Sequence, residues 1–197
     1  MESAAQHRLF VALPVPEPVR REIDREQAEL KKLVPSPAAR WTKTEQLHLT
    51  LRFLGNVEAS RIPELISALQ RACRSLAPLQ LQAAGLGLFP GARPPRVLWV
   101  GVCDNADQLS RVWEAVQGAT NEFTAEDPER HFSGHITLAR LARAGRHEAD
   151  LVAKAVRDGQ QKVFGQWTAR EVELVRSHLS PQGARHELVA AVGLMGS

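Results

Sequence analysis

The stretch Leu47-His48-Leu49-Thr50-Leu51-Arg52-Phe53-Leu54 alternates apolar and polar residues with the two-residue period of a half-buried β-strand. Leu47, Leu49, Leu51 and Phe53 are expected to face a core. His48, Thr50 and Arg52 are expected to stand in one row on the opposite face. The spelling returns in Phe132-Ser133-Gly134-His135-Ile136-Thr137-Leu138-Ala139-Arg140, so His-x-Thr-Leu occurs twice, 87 positions apart. With 7 threonines and 24 leucines in 197 residues, a given histidine is followed by x-Thr-Leu by chance about once in 230. Two matches among seven histidines are therefore not an accident of composition. The repeated residues include the polar, outward ones, which a purely structural strand does not require. Any fold for this chain has to supply two equivalent strands and bring them together.

The flanking segments follow the same order twice. Residues 8–13 read as a strand and 17–33 as a helix that Pro18 opens and Pro35 and Pro37 close. The first His-x-Thr strand stops at Gly55-Asn56. Ile62, Leu65, Ile66, Leu69, Ala72, Cys73 and Leu76 mark a helix over roughly 59–77. Residues 79–89 read as extended, with Gly85 and Gly87 suggesting a bend, and Pro90 to Pro95 as a connector between halves. A strand over 97–102, a helix over about 105–124 and a polar loop over 125–130 lead to the second His-x-Thr strand. A short helix around 148–158, a strand over 167–178, a turn from Ser180 to Gly183 and a strand over 187–194 complete the chain. Residues 1–197 are read as one domain with an internal repeat, approximately 8–90 and 96–194. The expected class is α+β: two related lobes of mainly antiparallel sheet with outer helices, a pseudo-two-fold axis, and a cleft between the lobes where the histidine strands face each other.

Composition narrows the function classes. Hydrophobic content of 44% and charged content of 24% are those of a globular domain. No apolar run approaches the ~18 residues of a membrane span, and Met1 to His7 lack a signal-peptide pattern, so a cytoplasmic protein is expected. Cys73 and Cys103 read as reduced thiols, and no Cys/His cluster has zinc spacing. Net charge is +3 with a pI of about 9.2, and arginine far outnumbers lysine, which suits a phosphate-bearing partner. The absence of tyrosine and an aromatic content of 5% argue against a long base-stacking platform.

Two facing His-Thr pairs have a definite chemical use. Histidine titrates near neutral pH, so one imidazole can accept a proton from a water or hydroxyl while the other gives one to a leaving oxygen. Each threonine, two residues on and on the same strand face, can donate its hydroxyl to a non-bridging phosphate oxygen. An in-line displacement at phosphorus needs one such group on each side. The expected catalytic residues are His48 and His135, with Thr50 and Thr137 as phosphate donors and no metal or cofactor. An arginine extends the row: Arg52 by parity, or Arg140 if its strand bulges after Leu138. His7, His147 and His186 are expected in solvent and His178 in a structural role. Trp41, Phe53 and Trp99 are candidates for stacking on a base, with core packing expected for Phe53 and Trp99.

These motifs resemble those of the two-histidine phosphoesterase superfamily, and within it the RNA 2′,3′-cyclic phosphodiesterases, also called 2′-5′ RNA ligases. The resemblance runs from Arg8-Leu9-Phe10-Val11-Ala12-Leu13 through Trp41, both His-x-Thr-Leu segments, Gly85-Leu86-Gly87-Leu88-Phe89-Pro90 and Pro95-Arg96-Val97-Leu98-Trp99-Val100-Gly101, to Ser177–Leu188. It implies hydrolysis of an RNA 2′,3′-cyclic phosphate end to a 2′-phosphomonoester without metal or ATP, with 2′-5′ ligation as the reverse reaction. His48 would be the proton donor to the departing 3′ oxygen, His135 the base, and Thr50, Thr137 and Arg140 the phosphate-binding residues. The implied partner is an RNA or oligonucleotide with a cyclic phosphate end, acted on by a monomer with no membrane association. The alternatives are the same chemistry on a small cyclic nucleotide or ADP-ribose cyclic phosphate, or a non-catalytic RNA-end binding module. The chain departs from the family in having Ser133-Gly134 where a basic residue and proline often precede the second histidine, with Arg130 or His131 as substitutes. It also has His186 where a tyrosine is usual.

Overall fold

In the computed structural model, which describes residues 5–34, 38–91, 95–127, 131–141, 146–180 and 183–196, the apolar opening forms β1 (Gln6–Pro14). Pro14 and Pro16 end it because neither carries an amide hydrogen for the ladder, and Pro18 falls in the first turn of α1 (Glu17–Leu33). Glu17 in that first turn and Lys31 and Lys32 in the last complement the helix dipole. The chain continues through β2 (Ala39–Trp41), β3 (His48–Glu58), α2 (Ile62–Cys73), β4 (Leu79–Phe89) and β5 (Val97–Asp104). It then forms α3 (Gln108–Thr120), β6 (His135–Leu141), α4 (Arg146–Asp158), β7 (Val163–Ala169), β8 (Glu171–Ser180) and β9 (Gly183–Gly193). Pro35, Pro37, residues 92–94 of the connector, Arg130 and Pro181-Gln182 lie outside the described residues. The α+β class with a mainly antiparallel sheet is as expected.

All nine strands join one sheet, ordered β7-β4-β5-β6-β3-β1-β8-β9, with β2 paired to β6. Every pairing is antiparallel. The two His-x-Thr strands are neighbours at its centre, and from their junction the order reads β6-β5-β4-β7 one way and β3-β1-β8-β9 the other. On either side of the connector β4 pairs β5, with Phe89 opposite Val97, and Phe89–Pro90 is cis. The segment expected as one strand over 167–178 is two, broken at Arg170. β7 lies at one edge of the order and β8 near the other. One residue cannot cross a flat sheet of this width, so the sheet curls until its two sides approach. Arg170 is held at that corner, where its carbonyl accepts from the Leu194 amide.

One sheet face carries the main core. Leu9, Val11, Leu13, Leu49, Leu51, Leu98, Val100, Ile136 and Leu138 are buried there, with Val19, Ile23 and Leu30 of α1 and Leu65 and Leu69 of α2. The other face carries a small buried apolar cluster, Phe10, Ala12 and Val175.

Two expectations for β3 are overturned by a β-bulge. Thr50 pairs Ala12 and Arg52 pairs Val11, so Leu51 is an extra residue without its own partner. From Arg52 to Leu54 the facing of the side chains reverses, until a second register shift at Leu54 restores it. Phe53, expected in the core, is 45% exposed, and Arg52, expected in the polar row, is 3% exposed on the core side. There its Nη1 donates to the Gln117 carbonyl (2.6 Å) and to Asn121 Oδ1 (2.7 Å). The same irregularity sits in β6: Trp99 pairs Thr137 and Leu98 pairs Ala139, leaving Leu138 extra. Ala139 is buried in consequence and Arg140 turns out to the open face.

Each bulge is pinned by a buried glutamine of a helix. Gln117 of α3 donates its Nε2 hydrogen to the Leu51 carbonyl (3.3 Å), and Gln27 of α1 donates to the Leu138 carbonyl (3.1 Å). A bulge frees a carbonyl from the ladder, and a buried carbonyl needs a donor. Gln117 supplies it at Leu51, and at Leu138 Gln27 adds a second donor beside the Thr42 amide (2.8 Å).

Candidate active site

His48 and His135 are the first residues of β3 and β6. These strands pair through Leu49 and Ile136, both fully buried, so the residues on either side point the other way. Continuing that antiparallel register sets His48 opposite Thr137 and Thr50 opposite His135. The two histidines lie on a diagonal, a relation that spans roughly 7–8 Å between backbones. Their rings are therefore placed to flank a group held between the strands.

Both imidazoles are held identically. His48 Nδ1 donates to the carbonyl of Gln46, and His135 Nδ1 to that of Ser133, each at 2.7 Å and each two residues back. A carbonyl can only accept, so Nδ1 carries the hydrogen in both rings. Nε2 is left as the nitrogen that gains or gives a proton. Ser133-Gly134 has a geometric role here. A side-chain carbon on Gly134 would lie 2.6 Å from the Val102 carbonyl oxygen, and the Gly134 carbonyl accepts from the Val102 amide (2.8 Å).

The surroundings of the two rings differ. His48 lies against Phe10 (4.8 Å between centroids) and, edge-on, against His186 (5.2 Å). His135 lies edge-on to Phe89 (5.0 Å) and near Trp99 (6.2 Å). Trp99 in turn covers Gly87, where a side-chain carbon would meet its ring at 2.0 Å; it pairs Thr137 and so stands on the histidine face of the sheet, not in the core where it was expected. Burial lowers the His48 pKa to about 4, against the opposing pull of the Gln46 carbonyl and with the positive charges of His186 and His135 adding to the depression. His186 is also lowered, by burial.

A cleft of about 720 Å³ opens on this face, lined by His48, Thr50, Thr137 and Arg140. His135 is not among its lining residues; it stands two residues before Thr137 on the same face of β6. Of the two arginines, Arg140 lines the cleft and Arg52 is buried behind the sheet. His186 is not solvated as expected but lines the cleft against His48. Phe53 joins the lining from β3, as does Trp41 from β2. His178 bonds Glu187 across the β8–β9 hairpin (2.6 Å). Arg8, Arg40 and Lys43 also line the cleft and were not singled out from the sequence. Arg40 lies in a strand of three residues, too short to leave a periodic signal. Gln46 Nε2 donates to the Ala184 carbonyl (2.6 Å), tying the segment after β2 to the β8–β9 hairpin. Among the described residues, no group of three or more His, Cys, Asp or Glu converges to hold a metal ion, and no helix is long and apolar enough to cross a membrane.

Comparison with known proteins agrees with this geometry. The family model for LigT like phosphoesterases matches residues 13–99. A Thermus thermophilus protein named RNA 2′,3′-cyclic phosphodiesterase is 30% identical over 198 residues, covering 96% of this chain and 91% of its own length. One of the same name from Archaeoglobus fulgidus is 29% identical over 89% of this chain and 94% of its own. Among solved structures, a protein of Thermus thermophilus superposes with a TM-score of 0.78 at 29% identity, covering 96% of this chain and 98% of that one. Escherichia coli LigT in complex with 3′-AMP has the same fold, with a TM-score of 0.77 at 23% identity over 96% and 99% of the two chains. With its paired His-x-Thr strands at the centre of this sheet, the chain belongs to the family of LigT-like phosphoesterases that includes the proteins named RNA 2′,3′-cyclic phosphodiesterase.

Proposed function

We propose that the protein hydrolyses the 2′,3′-cyclic phosphate at an RNA end to a 2′-phosphomonoester by paired histidine acid–base catalysis. The observation that carries this reading is the matched Nδ1 bond of both histidines to the carbonyl two residues back, which leaves two Nε2 atoms of one kind on a diagonal of the sheet. The phosphate sits between them, with the Thr50 and Thr137 hydroxyls donating to its non-bridging oxygens. His135 Nε2 takes a proton from a water as that water forms a bond to phosphorus. The bond from phosphorus to the 3′ oxygen breaks, and His48 Nε2–H delivers its proton to that oxygen. The products are a 2′-phosphomonoester and a free 3′ hydroxyl. No step calls on a metal or cofactor, and a 5′ hydroxyl attacking the cyclic phosphate in place of water, with the same bond to the 3′ oxygen breaking, would give a 2′-5′ phosphodiester instead.

His48 must be protonated to act as donor. Its lowered pKa in the protein alone means that the phosphate anion has to offset the burial of the ring first, and with it the repulsion of His186 and His135. The same observation favours a second reading, with the roles exchanged and neutral His48 as base. A substrate with sulfur in place of the bridging 3′ oxygen separates the two, because a thiolate leaves without a proton. If His48 is the acid, the His48→Ala variant recovers on that substrate and His135→Ala does not; the opposite recovery exchanges the roles.

The activity itself is tested on an oligonucleotide with a 2′,3′-cyclic phosphate end, in the presence of EDTA. His48→Ala and His135→Ala should each lower kcat/KM by about 10²–10⁴-fold. Full hydrolysis by both variants would refute the acid–base pair, and a 3′-phosphate product would refute the direction of ring opening. We also read residues 8–90 and 96–194 as copies of one unit; the matching bulges at Leu51 and Leu138, with their matching glutamines, support this.

A further inference from the structure

The cleft is lined by cations. Arg8, Arg40, Lys43 and Arg140 line it, and no Asp or Glu does among the described residues. A cyclic phosphate carries a single negative charge, and the His-Thr pairs already face it. The arginines are also oddly placed. β2 runs antiparallel to β6 with Arg40 directly opposite Arg140. Residues in direct register point to the same sheet face, and like charges so placed repel. Both side chains are exposed on the cleft side, and among the described residues neither has an ion-pair or hydrogen-bond partner. The pair makes electrostatic sense around an anion that both guanidinium groups can share.

The position of the pair identifies that anion. Arg140 follows Thr137 on β6, beyond the bulge at Leu138, so the pair stands one step along the cleft from the scissile phosphate. On a nucleotide whose 2′ and 3′ oxygens carry the cyclic phosphate, the next phosphate along the chain is on the 5′ oxygen of the same ribose. We propose that Arg40 and Arg140 together bind this 5′-phosphoryl group, so that the enzyme selects cyclic phosphates on nucleosides that are also 5′-phosphorylated. This rests on the hydrolase reading above. It accounts for Arg40, which the acid–base chemistry leaves without a role, and adds a second phosphate to the part Arg140 plays.

The test compares three substrates: a nucleoside 2′,3′-cyclic phosphate, the same compound with a 5′-phosphate, and a dinucleotide with a cyclic phosphate end. Wild-type kcat/KM should favour the second and third by about tenfold or more. Equal values for those two identify the 5′-phosphate as the determinant, whereas a gain confined to the dinucleotide would overturn it. In Arg40→Ala the preference should fall to within about threefold, and Arg40→Lys should keep part of it. No wild-type preference, or an Arg40→Ala loss of equal size on all three substrates, would overturn the proposal. A binding measurement separates this from failure of the hydrolase reading. Whether or not any substrate turns over, wild type should bind a nucleoside 5′-monophosphate about tenfold or more tightly than the nucleoside. Arg40→Ala should lose that difference, and equal binding of the two by wild type would overturn the proposal.

Discussion

The depressed proton affinity of His48 makes the stability of this fold pH-dependent in a way that one substitution should remove. An unfolded chain holds a histidine of pKa near 6.5, whereas His48 in the folded protein titrates near 4. Between these values the unfolded state binds the proton that the folded state refuses, so acidification favours unfolding. Above pH 6.5 the contribution is fully present, and it is lost as pH falls to 4. The full shift corresponds to about 3 kcal/mol, of which about 2.5 kcal/mol is gone by pH 4.5. His48→Gln keeps a polar side chain without a titrating ring. Urea unfolding followed by tryptophan fluorescence at pH 4.5, 5.5, 6.5 and 7.5 gives the stability of both proteins, and groups titrating alike in both cancel in the difference. The gap between wild type and His48→Gln should narrow, or reverse, by about 2.5 kcal/mol between pH 7.5 and pH 4.5. The His48 ring resonances should move with a midpoint near 4 in NMR titration, and that midpoint should rise in His186→Phe, which removes a neighbouring positive charge. Parallel stability curves, or a His48 midpoint above 6, would refute the argument.

Other perturbations test other parts of the structure. Arg52→Ala strips a buried donor from the Gln117 carbonyl and Asn121, and should cost about 2–4 kcal/mol in urea unfolding although Arg52 lies behind the sheet, away from the cleft. Gln27→Leu leaves the Leu138 bulge carbonyl without its glutamine donor; it should cost about 1–3 kcal/mol and lower kcat/KM further through Arg140 than stability alone explains. Gly87→Ala drives a carbon into Trp99, which packs beside His135, so kcat should fall along with a loss of about 1–3 kcal/mol. Thr137→Val should lower kcat by about tenfold or more while changing the urea midpoint little; the reverse ordering would make Thr137 a packing residue.

The histidine and threonine positions were legible because the chain spells them twice in alternating strands. The facing of their neighbours was not. Leu51-Arg52-Phe53 alternates without fault in the sequence, and a bulge leaves no mark in a hydrophobic pattern. It exists only in the register against β1, and in the glutamine that reaches it from a distant helix. In β6 the same event turns Arg140 into the cleft. The break at Arg170 was hidden for a similar reason, since residues on both sides of a sheet corner keep the strand period. His186 looked like a surface residue because the alternation of β9 says which face it takes but not that His48 lies on that face.

The exchange of strands across the middle of the sheet bears on how such a chain becomes active during synthesis. When residues up to Phe89 have emerged, His48 and Thr50 exist, but β1 has no β8 beside it and β4 has neither of its neighbours. The first half cannot be a finished structure that waits for the second. Its outermost strand belongs beside residues not yet made, and the strands that will close it are the last to appear. Contacts of such sequence separation are slow to form. The two halves of the site are thus committed to one another before either can bind anything, and catalytic competence arrives in a single late event rather than lobe by lobe.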